Sequence, residues 1–116
     1  MNNFLKSLLG LNKNDQESGS FENAISWEPT EPRTNDTLNI QYRGLLKESG
    51  ANEVYLHYGF DSWNRAVSTI KMDKQDDGNF RTTIKAEDAH EMNLCFKDSA
   101  DNWDNNNGYN WNLPLQ

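Results

Sequence analysis

The residues best suited to chemistry lie in two short segments that combine tryptophan with small polar side chains. Trp103 stands in the segment from Phe96 to Asn112, FKDSADNWDNNNGYNWN, and Trp63 stands in the segment GFDSWN. An indole ring offers a flat apolar surface, Asn offers hydrogen-bond donors and acceptors, and Asp offers acceptors. A sugar ring needs both kinds of partner, because its axial C–H face is apolar and its rim carries hydroxyls. These segments therefore predict carbohydrate contacts at loop tryptophans.

A histidine accompanies these tryptophans. Alternation assigns Val54, Leu56 and Tyr58 to the core, so His57 is expected on the opposite, solvent-facing side of its strand, six residues before Trp63. A histidine at the wet end of a strand can exchange hydrogen bonds with hydroxyls.

A second interpretation of the loop tryptophans has no ligand in it. Trp63 and Trp103 could cap the ends of a β-domain, since Trp is seldom fully buried. Trp27 and Trp111 lie in strand-like contexts, so a structural role without a ligand is predicted for both.

Strands must position these side chains, because the period of the chain is two from residue 21 onward. Alternating apolar and polar residues predict strands at 25–27, 38–43, 54–59, 68–72, 80–84, 92–96 and 109–113. Turn-forming segments such as KESGAN and KQDDGN separate them. The pattern predicts an all-β fold, an antiparallel β-sandwich of immunoglobulin-like type, with a small barrel as the alternative.

The beginning of the chain has a different pattern. Residues 1–11 place their apolar side chains on one face of a helix, residues 12–20 have the composition of a linker, and residues 21–116 form the predicted β-domain. So short an amphipathic helix is marginal alone, so we expect it to contact the domain, a second copy of the chain, another protein or a lipid surface. Protein is favoured over membrane, because only Lys6 and Lys13 are available to meet anionic head groups.

Composition excludes several functions. The 116 residues suffice for one domain, and the net charge of −7 argues against nucleic acid as a partner. The single cysteine, Cys95, excludes an internal disulfide and a multi-cysteine metal site, and we expect it to be a small strand residue with no reactive role. No secretory signal or membrane span is evident, so we expect a cytoplasmic protein.

The two tryptophan segments also carry a family resemblance. VYLHYGFDSWN at 54–64, followed by LCFKDSADNWDNNNGYNW at 94–111, resembles the starch-binding carbohydrate-binding modules of family 25 and the related family 53. The likeness spans roughly residues 34–113. It implies a β-sandwich that binds α-glucan, such as starch- or glycogen-like polysaccharide, without catalysis. It further implies that His57, Trp63 and Trp103 form the stacking platform and that Asn105 and Asn106 belong to the hydrogen-bonding rim.

Three alternatives compete with glucan binding. Asp98, Asp101 and Asp104 surround Trp103, and glycosidases use paired carboxylates, but neighbours in one loop more readily orient amides than flank a cleft. DNWDNNNG is rich in oxygen ligands yet lacks the spacing of an EF-hand, so at most a structural calcium ion is expected, and no cofactor. A protein-interaction module would be preferred if Trp63 and Trp103 proved to be buried or far apart.

Overall fold

The computed structural model describes residues 19–21 and 24–116 of the chain. The predicted helix over residues 1–11 lies outside the described residues, as does most of the predicted linker over residues 12–20. The first strand begins at Gly19, shortly before the predicted start of the domain at residue 21.

Strands make up most of the regular structure. In chain order they are β1 (Gly19–Phe21), β2 (Ile25–Glu28), β3 (Thr37–Tyr42), β4 (Val54–Phe60), β5 (Arg65–Lys71), β6 (Asp73–Lys74), β7 (Phe80–Lys85), β8 (Glu91–Asp98), β9 (Trp103–Asp104) and β10 (Trp111–Pro114). Their pairings are antiparallel. The all-β prediction is confirmed, and each predicted strand overlaps an observed one, whereas the immunoglobulin-like type stays a prediction.

The strands form two sheets. The first sheet has the order β1-β2-β3-β7-β6, and the second has the order β10-β8-β4-β5, with β9 also paired to β8. β4 pairs with β8 over its full length. β9 and β10 therefore lie one after the other along the opposite edge of β8, with Trp103 beside Lys97 and Trp111 beside Leu94.

One hydrophobic core lies between the sheets, because alternation gives the central strands of each sheet an apolar face. Both sheets contribute to the largest fully buried side chains, which are Ile25, Leu38, Ile40, Tyr42, Val54, Leu56, Phe60, Phe80, Met92, Leu94, Phe96 and Leu113. Trp27 and Trp111 are both buried in this core. Tyr58 was predicted to lie in the core, but it packs against the core and stays partly exposed.

A single helical turn, α1 (Leu45–Glu48), follows β3 and was not predicted. It buries Leu46 and exposes Leu45. A turn of four residues is too short to show a helical period, which is why the sequence did not reveal it. Among the residues that the structure describes, no helix has the length and apolar character needed to cross a membrane.

Candidate functional site

Strand register brings the predicted site residues to the outer face of the second sheet, the face turned away from the core. β4 turns Leu56 into the core and His57 outward. On this face His57 lies between Cys95 of β8 and Thr69 of β5. The His57 Nδ1 atom is 2.8 Å from the Thr69 hydroxyl oxygen, a hydrogen bond that fixes the plane of the imidazole.

Both predicted loop tryptophans flank this histidine. The Trp63 ring stacks on His57 with centroids 5.2 Å apart and planes inclined by 17°. The Trp103 ring meets His57 edge to face, at 5.6 Å and 86°. Because one indole is nearly parallel to the imidazole and the other nearly perpendicular, the two indoles stand at a steep angle to each other. We call His57, Trp63 and Trp103 the aromatic trio.

The trio remains open to solvent. Trp103 keeps 48% of its surface exposed, while His57 and Trp63 are half-buried. The indole face of Trp103 is therefore the largest apolar area that the trio offers to a ligand.

Trp63 reaches its place through an unusual turn. Asp61, Ser62 and Trp63 have φ angles of 53°, 60° and 65°, so three successive residues other than glycine adopt the left-handed conformation. Such residues cost about 1–2 kcal/mol each and persist only where other contacts hold them. The Asp61 carboxylate supplies part of the hold, because its Oδ1 atom accepts hydrogen bonds from the backbone N–H groups of His90 at 2.8 Å and Glu91 at 3.3 Å. These bonds lower the pKa of Asp61.

Gly59 makes room for the Trp63 ring. A Cβ atom on Gly59 would lie 2.9 Å from Trp63 Cε3 and 3.0 Å from Val67 Cγ2. The indole of Trp63 therefore lies directly against the strand at Gly59, where any side chain would displace it.

A lysine ammonium group packs against the Trp103 ring. Lys97, its partner across β8 and β9, places its ammonium 5.7 Å from the Trp103 ring centroid and 5.6 Å from that of Tyr55. Asp101 holds the ammonium at 2.6 Å, and this hydrogen bond raises the pKa of Lys97. The two-residue strand that contains Trp103 corrects the expectation that this tryptophan lies in a loop.

The neighbouring residue, Asp104, joins the site to the first sheet. Asp104 is only 9% exposed, and its Oδ2 atom accepts a 2.6 Å hydrogen bond from the Tyr42 hydroxyl. The same hydroxyl accepts a 2.9 Å bond from the Leu46 backbone N–H. Burial, together with the Asp104 carboxylate, raises the pKa of Tyr42. This link ties β9 to β3 and α1.

The three carboxylates around Trp103 have separate roles. Asp104 bonds Tyr42, Asp101 pairs with Lys97, and Asp98 accepts from the backbone and side-chain amides of Asn102 at 2.9 Å each. Each carboxylate is engaged in holding a strand or a turn. Among the described residues, no group of three or more His, Cys, Asp and Glu side chains is placed to hold a metal ion.

The predicted rim residues, Asn105 and Asn106, lie in the turn between β9 and β10 and are exposed. Asn105 Oδ1 accepts from the Gly108 N–H at 3.0 Å, and Asn106 Nδ2 donates to the Asn110 carbonyl at 2.9 Å. These bonds shape the turn and do not reach the aromatic trio. The structure thus brings the three predicted rings together. The two predicted amides follow Trp103 closely along the chain, and the turn uses part of their hydrogen-bonding capacity.

Electrostatics keep the imidazole neutral. Partial burial and the nearby Lys97 ammonium lower the pKa of His57. Below the trio, Cys95 is buried, and burial raises the pKa of its thiol to about 11, which agrees with the expected inert residue.

Four residues of this face were not predicted to belong to it: Tyr55, Thr69, Asn93 and Lys97. A signal for Tyr55 existed, because it has the same parity as His57 along β4 and must point to the same side. The others could not be found from the sequence, since their positions depend on how β4 pairs with β5 and β8.

Comparisons with known proteins find similar modules. Residues 38–94 match the model of the starch/carbohydrate-binding module family 53. An alpha-amylase of Clostridium acetobutylicum is 36% identical over 86 residues, which is 72% of this chain but only 11% of the length of that relative. The solution structure of CBM25-2 of beta/alpha-amylase from Paenibacillus polymyxa superposes with a TM-score of 0.53 at 23% identity, over 72% of this chain and 78% of that one.

Proposed function

Because this chain belongs to the starch/carbohydrate-binding modules, the group that families 25 and 53 represent, we propose that the aromatic trio binds α-glucan by stacking. The observation that carries the proposal is the meeting of Trp63 and Trp103 around His57 on one open face. The protein-interaction alternative would be preferred if these tryptophans were far apart or buried. Their common location and the exposure of Trp103 favour the sugar ligand.

The angle between the indoles favours an α-linked chain. Trp63 and Trp103 present planes that are steeply inclined to each other, since they lie at 17° and 86° to His57. A flat β-linked ribbon offers its sugar faces in nearly one plane and can stack on only one of the two rings. An α-1,4-linked chain turns from one glucose to the next and can follow both.

Hydrogen bonds complete the contact. The neutral His57 ring retains Nε2 for a sugar hydroxyl, because its Nδ1 atom already contacts Thr69. Asn105 and Asn106 supply the rim of the same site next to Trp103, with the capacity that their turn leaves unused. The carboxylates near Trp103 serve as structural partners, so the module binds glucan without cleaving it.

The expected affinity is modest. Covering roughly 100 Å² of one indole face contributes about 2.5 kcal/mol at about 25 cal/mol/Å². Two rings and a few hydrogen bonds of about 1 kcal/mol each must offset an association cost of at least about 4 kcal/mol, which predicts a dissociation constant between about 10 μM and 1 mM. Such weak single contacts suit a polymer with many equivalent sites.

Affinity electrophoresis in gels containing amylopectin tests the proposal. Trp103→Ala should abolish most of the retardation. Trp63→Ala should reduce it by less, because Trp63 is already half-buried, with its ring against Gly59 and His57. Leu45→Ala, which removes an exposed apolar side chain from α1, is the control and should migrate like wild type.

Titration with maltoheptaose, followed by tryptophan fluorescence, gives the affinity, and cellohexaose is the comparison ligand. We expect saturation with maltoheptaose and none with cellohexaose. Equal binding of both sugars, or unchanged retardation of both tryptophan variants, would refute the proposal.

A further inference from the structure

We propose that Asn93 is the positioning residue for Trp63: its buried side-chain amide holds the left-handed turn 61–63 in the conformation that presents the indole to glucan. The inference rests on the proposed function, because it assigns a role in that site. Asn93 itself lies beneath the face, only 1% exposed, and does not contact the ligand.

The Asn93 amide makes three hydrogen bonds. Its Oδ1 atom accepts from the Trp63 backbone N–H at 2.9 Å. Its Nδ2 atom donates to Glu91 Oε2 at 2.8 Å and to Asn112 Oδ1 at 2.7 Å. The two donor bonds fix the orientation of the amide, so that its oxygen must face Trp63.

Neither Asp nor Leu at position 93 reproduces these three hydrogen bonds. An Asp side chain could accept from Trp63, but it would bring a second carboxylate against Glu91 and leave Asn112 Oδ1 without a donor. A Leu side chain of similar size would leave the Trp63 N–H with no acceptor at this position. Burial makes an unmatched polar group costly, so the requirement for an amide is strict.

The bond to Trp63 matters because the turn is strained. Asp61 holds the beginning of the turn through the backbone of His90 and Glu91, whereas Asn93 holds its end at the residue that carries the indole. Without the bond at its end, the turn can relax away from the left-handed conformation and lift the ring from Gly59.

The hydrogen-bond network of Asn93 extends to the turn between β9 and β10. Asn112 Nδ2 donates to the Tyr109 carbonyl at 3.3 Å, in the turn that contains Asn105 and Asn106. Asn93 and Asn112 thus connect the turn of Trp63 to the turn between β9 and β10. The network therefore supports both turns together.

Substitutions with a built-in rescue test the inference. In Asn93→Asp we expect the dissociation constant for maltoheptaose to rise about tenfold or more, because the fraction of molecules with Trp63 in place falls and apparent affinity falls with it. Adding Glu91→Gln should restore binding to within about fivefold, since a Gln amide can donate to the new carboxylate and removes the repulsion, while only the bond to Asn112 stays lost. Glu91→Gln alone is the matched reference, and the double variant is compared with it as well as with wild type.

A measurement without ligand separates this inference from the proposed function. Hydrogen exchange of the Trp63 amide should accelerate in Asn93→Asp and Asn93→Leu, while the amides of Leu38 and Ile40 in the opposite sheet keep their protection. Asn79→Ala, in a remote turn, should change neither. If wild type does not bind maltoheptaose the proposed function fails, and the exchange of Trp63 still tests Asn93.

Asn112→Leu supplies a second variant that leaves the buried Asn93 in place. It removes one acceptor of the amide from an exposed position, and should accelerate Trp63 exchange and weaken binding about two- to fivefold by the same population argument. Unchanged Trp63 exchange in the Asn93 variants, or loss of binding that Glu91→Gln does not rescue, would overturn the inference.

Discussion

Gly59→Ala adds one methyl group at the point where the Trp63 indole lies against β4. The new Cβ would stand 2.9 Å from Trp63 Cε3 and 3.0 Å from Val67 Cγ2, whereas carbon atoms in contact prefer about 3.5–4.0 Å. The backbone of Gly59 is not in the left-handed region, so Ala suits it. The conflict is therefore between side chains, and the indole must retreat by about 0.5–1 Å.

The magnitude follows from the area at stake. A ring that leaves the sugar entirely forfeits about 2.5 kcal/mol, or roughly 70-fold in affinity, and a ring that keeps part of its contact loses less. Folding should change little, because Ala in a strand gains about 0.5–1 kcal/mol over Gly and offsets part of a steric cost of about 1–3 kcal/mol. We expect affinity to fall about tenfold to 70-fold with at most about 2.5 kcal/mol lost in the free energy of unfolding.

Calorimetric titration with maltoheptaose and urea unfolding measure the two quantities separately. Val67→Ala provides the control for that side chain, and combining it with Gly59→Ala should recover part of the affinity by relieving one of the two contacts. A Gly59→Ala protein that binds within twofold of wild type would mean that the Trp63 ring does not contact the sugar from this position.

Two further predictions concern the supports of the other rings. Tyr42→Phe should destabilise the fold by about 2–3 kcal/mol in urea unfolding, because the buried Asp104 carboxylate and the Leu46 N–H lose their shared hydroxyl. It should also weaken amylopectin retention through Asp104. Unchanged stability would contradict the structural link between β9 and β3. Since the pKa of His57 is lowered, the folded protein binds fewer protons than the unfolded chain below pH 6.5, the ordinary pKa of histidine. The free energy of unfolding should therefore decrease as the pH falls from 6.5 toward the lowered pKa. Glucan affinity should decrease over the same range, because protonated His57 is repelled by Lys97 and bound sugar disfavours the charge; a His57→Gln protein with the same pH profile would argue against this explanation.

Much of the strand pattern was predictable, because alternation along β3, β4, β7 and β8 is strong. Shorter elements were not. The two-residue strands β6 and β9 and the single turn α1 contain too few residues to show a period. The predicted strand at 109–113 is displaced for a related reason: Tyr109 and Asn110 belong to the preceding turn, and the strand begins at Trp111.

The candidate site could be proposed from its residue types, whereas the residues that support it could not. His57, Trp63 and Trp103 stood out as aromatic and basic residues in polar surroundings, but their meeting depends on the register of β4 with β8. Residues 61–63 contain no glycine that would indicate a left-handed turn, and contacts from distant residues stabilise that conformation. Asn93 looks in the sequence like any polar residue of a strand, and only its burial reveals its role.

The arrangement of β9 and β10 along one edge of β8 has a consequence for engineering. The segment between them, residues 105–110, begins and ends at separately paired strands, so its length can change without shifting the register of either. Insertions there that keep the bond between Asn112 and the Tyr109 carbonyl would change the border of the proposed sugar site while leaving the rings where they are. A library of loop variants at this position is therefore the natural starting point for altering which glucans the module selects.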